Sequence, residues 1–208
     1  MGESNGGSIY GDAEARRRRT LDAAAALLDE GGYSALTIRS VAKRSGTSTG
    51  LIYQYFADKQ EIFMALLNES QLESTAFVAG LARDRGVTAL LTEVIAESAR
   101  QWGRVGRVTS IWRDTDGSTG PDRESIREVH RTAALYNEEL LRAVTEAALK
   151  EGRTLLDDDA ALPFLLSGLQ GVADTIVNNW ASHLDPAEFA SFSAAALTRA
   201  ITLTEPID

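Results

Sequence analysis

Between Thr37 and Lys59 the apolar positions fall into two short groups whose spacing breaks at a single glycine. Ile38, Val41 and Ala42 stand at i, i+3 and i+4, an inward stripe on a short helix. Arg39 and Lys43, four apart, share an outward face, and Thr37 is placed to accept a free amide of the first turn. Gly46 supplies the permissive backbone that a sharp helix-to-helix turn requires. Ser48 is the expected N-cap of a second helix over about 49–55, with Ile52 and Phe56 inward. That leaves Thr49, Gly50, Tyr53 and Gln54 free on the outer face. Asp58 and Glu61 have capping-box spacing and open a long helix. Two short helices about a tight turn form the layout of a helix-turn-helix, whose second helix can enter a DNA groove.

Helical periodicity dominates the rest of the chain, and alternating β-branched runs are scarce. A first helix is expected over about 12–31, stopped by Gly31-Gly32. The helix from 59 to about 82 spans roughly 36 Å at ~1.5 Å per residue. Further helices are expected near 87–102, 105–113, 122–150, 158–182 and 186–203, with Asp114 to Pro121 as a loop and Asp185-Pro186 as a start signal. The expected fold class is all-α, with about nine helices. A three-helix helix-turn-helix head occupies residues 12–58 and a helical body residues 59–208. Residues 1–11, rich in Gly, Ser and Asn, are expected to be a disordered tail.

The segment ALPFLLSGLQGVADTIVNNW is apolar around most of its circumference, so a helix there is buried on several sides. Gly168 and Gly171 would let another helix approach closely. The last helix, EFASFSAAALTRAITL, has the same character. Both an intrachain core and a subunit interface satisfy that pattern. Phe77, Trp102, Trp112, Tyr136 and Phe164 are spread over the central helices, and Asn137, Gln170 and Asp174 are polar groups among them. Gln170 and Asp174, four apart, share one face of an otherwise apolar helix. Converging aromatics with a few polar groups make a small-molecule pocket; the same residues also serve as plain core.

Charge sharpens the division. The 208-residue chain carries a net charge of −9, which argues against a general nucleic-acid coat or a membrane-surface protein. Residues 15–59 nevertheless hold eight basic and four acidic side chains, whereas residues from 71 onward hold 13 basic and 21 acidic. Arg16 to Arg19 form a basic run that is either a phosphate-touching arm or a solvated helix face. A nuclear signal is a third reading. The chain has no cysteine, so disulfides and thiolate metal sites are excluded. No apolar stretch approaches a ~20-residue membrane span and no signal peptide is visible, so no membrane is expected and the cytoplasm is the expected compartment. Gly6 stands where a myristoylation motif needs Ser or Thr. His130 and His183 are in no metal-ligand pattern, and Asp157 to Asp159 read as helix-start acids. With no phosphate loop or nucleophile elbow, neither enzymatic activity nor a cofactor is expected.

The run from about Arg16 to Leu67, a quarter of the chain, resembles the DNA-binding domain of the tetracycline-repressor (TetR) family of bacterial regulators. AAAALLDEGGYSALTIRSVAKRSG and TSTGLIYQYFADKQEIFMALL carry the resemblance, with GTSTGLIYQYFADK at its centre. It implies that Arg39 reaches a base edge or phosphate, and that Thr49 and Gly50, behind Ser48, lie nearest the bases. Tyr53, Tyr55 and Lys59 would grip the phosphate backbone, with Gln54 beside them. On residue chemistry alone, Tyr53 and Tyr55 are equally core aromatics with surface hydroxyls. The resemblance further implies a homodimer through the last two helices, forming a four-helix bundle across a twofold axis. Its recognition helices would read a palindromic operator on double-stranded DNA about one turn, ~34–36 Å, apart. A small, largely apolar effector in the body would release the repressor. A DNA-binding architectural or scaffold protein that senses nothing is the alternative.

Overall fold

The computed structural model describes residues 6–103 and 123–204. Trp112, the helix expected at 105–113, the loop Asp114 to Pro121 and tail residues 1–5 lie outside them. The first helix, α1 (Gly6–Ala35), consists of two helical pieces that meet at Gly32, where φ is 64° and ψ −165°. The break falls at the expected glycine pair, but the helix begins at Gly6 rather than near residue 12. No proline interrupts that stretch, and extending an existing helix backward avoids the cost of a new nucleus.

The next two helices are set by their caps. In α2 (Ile38–Ser45), the Thr37 side chain accepts the Ser40 amide at 3.0 Å, and the Ser40 hydroxyl accepts the Thr37 amide at 3.0 Å. The pair closes a reciprocal box that contributes about 1 kcal/mol. Gly46, at φ 67° and ψ 31°, ends α2 in the left-handed conformation. Ser48 then caps α3 (Thr49–Ile52) by accepting the Leu51 amide at 3.1 Å. The second motif helix is therefore four residues long, not seven. Past Ile52 the chain tightens into turns, and this brings Phe56 back into the core beside Ile52.

Asp58 caps α4 (Lys59–Gly80) through the Glu61 amide, at 3.0 Å. No return bond from the Glu61 side chain to the cap forms. Its carboxylate accepts the Ser125 hydroxyl at 2.7 Å and lies 3.7 Å from Arg123, both at the start of a later helix. Arg123 also donates to Asp58, at 2.7 Å. Burial works against the Asp58 charge, but the Arg123 bond and the amides of Glu61 and Gln60 outweigh it and hold the carboxyl below its usual range.

The body follows as α5 (Gly86–Gln101), α6 (Glu124–Lys150), α7 (Ala161–Val177) and α8 (Pro186–Ile201). Asp185 caps α8 through the amides of Ala187 and Glu188, with Pro186 in its first turn, as its sequence predicts. Two three-residue strands were not legible in the sequence: β1 (Arg153–Leu155) and β2 (Thr202–Thr204) pair antiparallel. They are too short to show a period, and their partners meet only because α7 and α8 fold back. The all-α class stands, with eight helices among the described residues.

Two cores result. In the head, Leu21, Leu36, Val41 and Ile52 pack with Ile62 to Leu67 of α4 and with Val129 of α6. In the body, α5 is central. Val87, Leu90, Leu91, Val94 and Ile95 bury two faces against α6, α7 and α8. The helices α4 and α6 thus belong to both cores, so residue 59 is not a packing boundary. Arg83, buried at the far end of α4, closes it on α6 through Glu139 at 3.3 Å.

Phe63 is fully buried and meets the Tyr33 ring edge-on at 5.6 Å between centroids. Phe63→Ala should cost the head about 3–5 kcal/mol, read as a lowered denaturation midpoint by circular dichroism. An unchanged midpoint would contradict this account of the core.

Candidate nucleic-acid interface and body cavity

The capped turn sorts the candidate DNA-facing residues into two groups. Arg39, Ser48, Thr49, Gly50, Tyr53 and Gln54 are exposed, and the Tyr53 ring is 58% accessible despite its size. Tyr55 and Lys59 are only partly so. Tyr55 packs against the head core, and the Lys59 ammonium lies 4.1 Å from the centroid of the Tyr33 ring. The two open readings of the tyrosines therefore divide: Tyr53 faces outward, and Tyr55 is half a core residue.

The basic side chains divide in the same way. Arg44 makes two 2.5 Å hydrogen bonds to Glu30, which hold that carboxyl below its ordinary range. Arg18 pairs with Asp22 and Glu69, and the Arg17 guanidinium sits 5.6 Å over the Phe56 ring. Arg19, Arg39 and Lys43 are exposed and have no ion pair among the described residues. These three, with Tyr53, are the groups free to meet an external phosphate. Arg19 belongs to the basic run that offered a phosphate-touching arm, whereas Lys43 was given an outward face but no contact; its place on the outer side of the capped α2 was the signal that could have found it.

A second feature lies in the body. Helices α4, α5, α6 and α7 surround a cavity of about 340 Å³. Trp102, Tyr136, Asn137 and Gln170 line it, as their types suggested. Three other candidates do not. Phe77 packs into the body core, Phe164 is 49% exposed on the outside of α7, and Asp174 is tied up behind the wall. The Asp174 carboxylate accepts the Trp102 indole at 2.8 Å and the Asn178 amide at 2.7 Å. Burial pushes the Tyr136 hydroxyl up to about 12, with the Glu97 charge adding and a Ser98 hydrogen bond opposing. Among the described residues Ser70, Gln71, Ser74, Ser98 and Gln101 complete the polar lining. They escaped notice because small polar residues on long helices read as solvent-facing. Ser70 and Gln101, hydrogen-bonded to each other, also line a crevice of about 70 Å³ whose other wall includes Arg18 and Leu28 of the head.

Among the described residues no group of three His, Asp or Glu side chains could hold a metal ion, and no helix is long and apolar enough to cross a membrane. A capped helix-turn-helix with free outer residues, mounted on a helical body with its own core, defines a DNA-binding head and an attached body. Residues 21–66 match the family described as "Bacterial regulatory proteins, tetR family", which makes the head a DNA-binding domain of that type. It is 48% identical over 56 residues to the HTH-type transcriptional regulator HbdR of Aromatoleum sp. (strain CIB), covering 26% of this chain and 24% of that protein. That match thus spans about a quarter of its relative's length. The HTH-type transcriptional repressor Rv1474c of Mycobacterium tuberculosis is similar over more of the chain, 28% identical across 181 residues, 85% of this chain and 88% of that one. Among solved structures, FadR of Bacillus subtilis in complex with stearoyl-CoA has the same fold, with a TM-score of 0.59 at 19% identity over 87% of this chain and 97% of that one.

Each protein–phosphate contact steepens the salt dependence of DNA binding by about 0.9 in log–log slope. Arg39→Ala and Lys43→Ala should each flatten that slope by roughly one. Tyr53→Ala should weaken binding while leaving the thermal melt unchanged, because the ring is exposed. Mobility shifts on the chain's own upstream DNA over a salt series measure both, and a wild-type slope in either cationic variant would remove that residue from the interface.

Proposed function

We propose that this protein is a sequence-specific transcriptional regulator, a repressor that leaves its operator when a small effector enters the body cavity. The observation that carries the reading is the course of α4 and α6. Both run from the head core, through the cavity wall, into the body core. A ligand that wedges Ser70 or Gln71 away from Tyr136 or Asn137 must tilt at least one helix that carries head residues. Ligand and DNA then weaken each other's binding by one common factor, typically ~1–3 kcal/mol. The alternative of a scaffold that senses nothing would suit a filled body, and a 340 Å³ cavity counts against it. The polar groups on the cavity wall suit a largely apolar effector that also carries polar groups.

The operating unit in this reading is a homodimer through α7 and α8. Phe164, Trp180, Leu184 and Phe192 are exposed on or beside these helices, and Phe192 and Trp180 are 68% and 73% accessible. So much aromatic surface marks an interaction site. The two glycines have separate uses. A Cβ on Gly168 would come within 2.6 Å of Leu197, so that glycine lets α7 lie against α8 in the same chain. A Cβ on Gly171 would meet nothing, which leaves its face open to a second copy. A twofold dimer presents two heads to a palindromic site on double-stranded DNA. The cytoplasm suits that task.

Sedimentation and mobility shift together test this reading. The wild type should sediment as a dimer and shift a palindromic duplex. Phe164→Glu with Phe192→Glu should give a folded monomer whose affinity falls at least ~100-fold, since the second half-site is no longer tethered. A wild-type monomer at micromolar concentration, or a double variant with full affinity, would contradict the dimer.

A further inference from the structure

Among the described residues no Lys, Arg, His, Asp or Glu lines the body cavity. Its polar surface consists of hydroxyl and amide groups, and three of these are unoccupied. Ser74 of α4, Asn137 of α6 and Gln170 of α7 make no side-chain hydrogen bond among the described residues. They come from three helices, and Leu166, Leu169 and Ala173 add apolar lining. Two ionised groups are hydrogen-bonded to lining side chains from behind, and both are carboxylates. Glu97 accepts the Gln101 amide at 2.9 Å, and Asp174 accepts the Trp102 indole at 2.8 Å. Among the described residues Arg100 balances Glu97 at 2.6 Å, whereas neutral donors hold Asp174.

Resting on the effector reading above, we propose that this cavity selects an uncharged, amphipathic ligand bearing hydroxyl, carbonyl or amide groups, and that it rejects anions. An anion would shed its hydration, find no countercharge among the described lining residues and lie near the Asp174 carboxylate that is bonded to the Trp102 indole. Carboxylates, sulfonates and the phosphate-bearing thioesters of fatty acids are all excluded on that ground. A cation would shed its hydration and find no carboxylate among the described lining residues, since Asp174 meets the cavity only through its bond to the Trp102 indole. A neutral ligand loses little on entry. The Asn137 and Gln170 amides each donate and accept, so they can satisfy hydroxyls or carbonyls of either polarity, while its apolar part covers the leucines and the Trp102 and Tyr136 rings.

Two dyes of one skeleton test the proposal on the full chain. N-phenyl-1-naphthylamine is neutral, and 8-anilinonaphthalene-1-sulfonate adds one sulfonate. Fluorescence titration should show the neutral dye binding at least ~tenfold more tightly, as expected when one dye must bury an unpaired charge. Ser74→Phe, which fills the cavity, should weaken the neutral dye by a similar factor, and Asn137→Lys, which adds a cation, should reverse the preference. In displacement, 1-octanol should act at lower concentration than octanoate or octylamine. Circular dichroism of each variant checks that it is folded. Equal or tighter binding of the sulfonate dye, abolished by Ser74→Phe, would overturn the charge selection while leaving the cavity as the effector site. Binding of both dyes that ignores Ser74→Phe would overturn the cavity as a binding site altogether. A neutral dye that binds as described without changing DNA affinity would support the ligand class and contradict only the release mechanism.

Discussion

The packing of α4 against α6 is the constraint on which the rest of the molecule depends. Each helix gives one end to the head core and the other to the body core, so neither core can be completed without both helices. The contact is mostly apolar, but its middle is polar. The Thr132 hydroxyl is buried between Asn68 and Gln71, at 2.8 and 2.6 Å. One hydroxyl has one proton, so at least one of those amides turns its NH2 toward Thr132. Such a node fixes the register of the two helices, because sliding by a turn would leave buried polar groups unpaired. Gln71 reaches the cavity and Asn68 faces the head, so the node lies between the two features that a regulator must couple.

Electrostatics divide the chain along the same line. The head keeps a few cations free because its acids are spent on others: Glu30 on Arg44, and Asp22 and Glu69 on Arg18. The body holds most of the acid, and the described residues that line its cavity carry no charge. A cation-bearing head thus coexists with an acid-rich body in a chain of net charge −9. The Asp58–Arg123 contact lies at the junction and joins the cap of α4 to the start of α6. It is half exposed, so its worth is a matter of position more than strength.

Much of this was legible in the sequence where local chemistry decides structure. Thr37, Gly46, Ser48, Asp58 and Asp185 all occupy the capping positions their types predict. Ile52 and Phe56 are buried and Tyr53 is out, because a helix period with a glycine break admits little else. What the sequence did not show depends on distant partners. Glu61 has the spacing to return to its own cap, yet Ser125 and Arg123, more than 60 residues away, take it instead. The strand pair needs α7 and α8 in place first. Aromatic type picked out Trp102 and Tyr136, which line the cavity, but also Phe77 and Phe164, one packed on the core and one on the surface. Burial, which separates those outcomes, is a property of the packed molecule. The serines on the cavity wall carry no periodic signal at all.

The central claim is that the head reads a specific duplex sequence as one half of a symmetric pair. Selection of tight binders from random double-stranded DNA tests it most directly. The account predicts enrichment of one inverted repeat whose half-sites are centred about one helical turn apart, ~34–36 Å. Recovery of no enriched sequence, from protein shown to be folded, would contradict it.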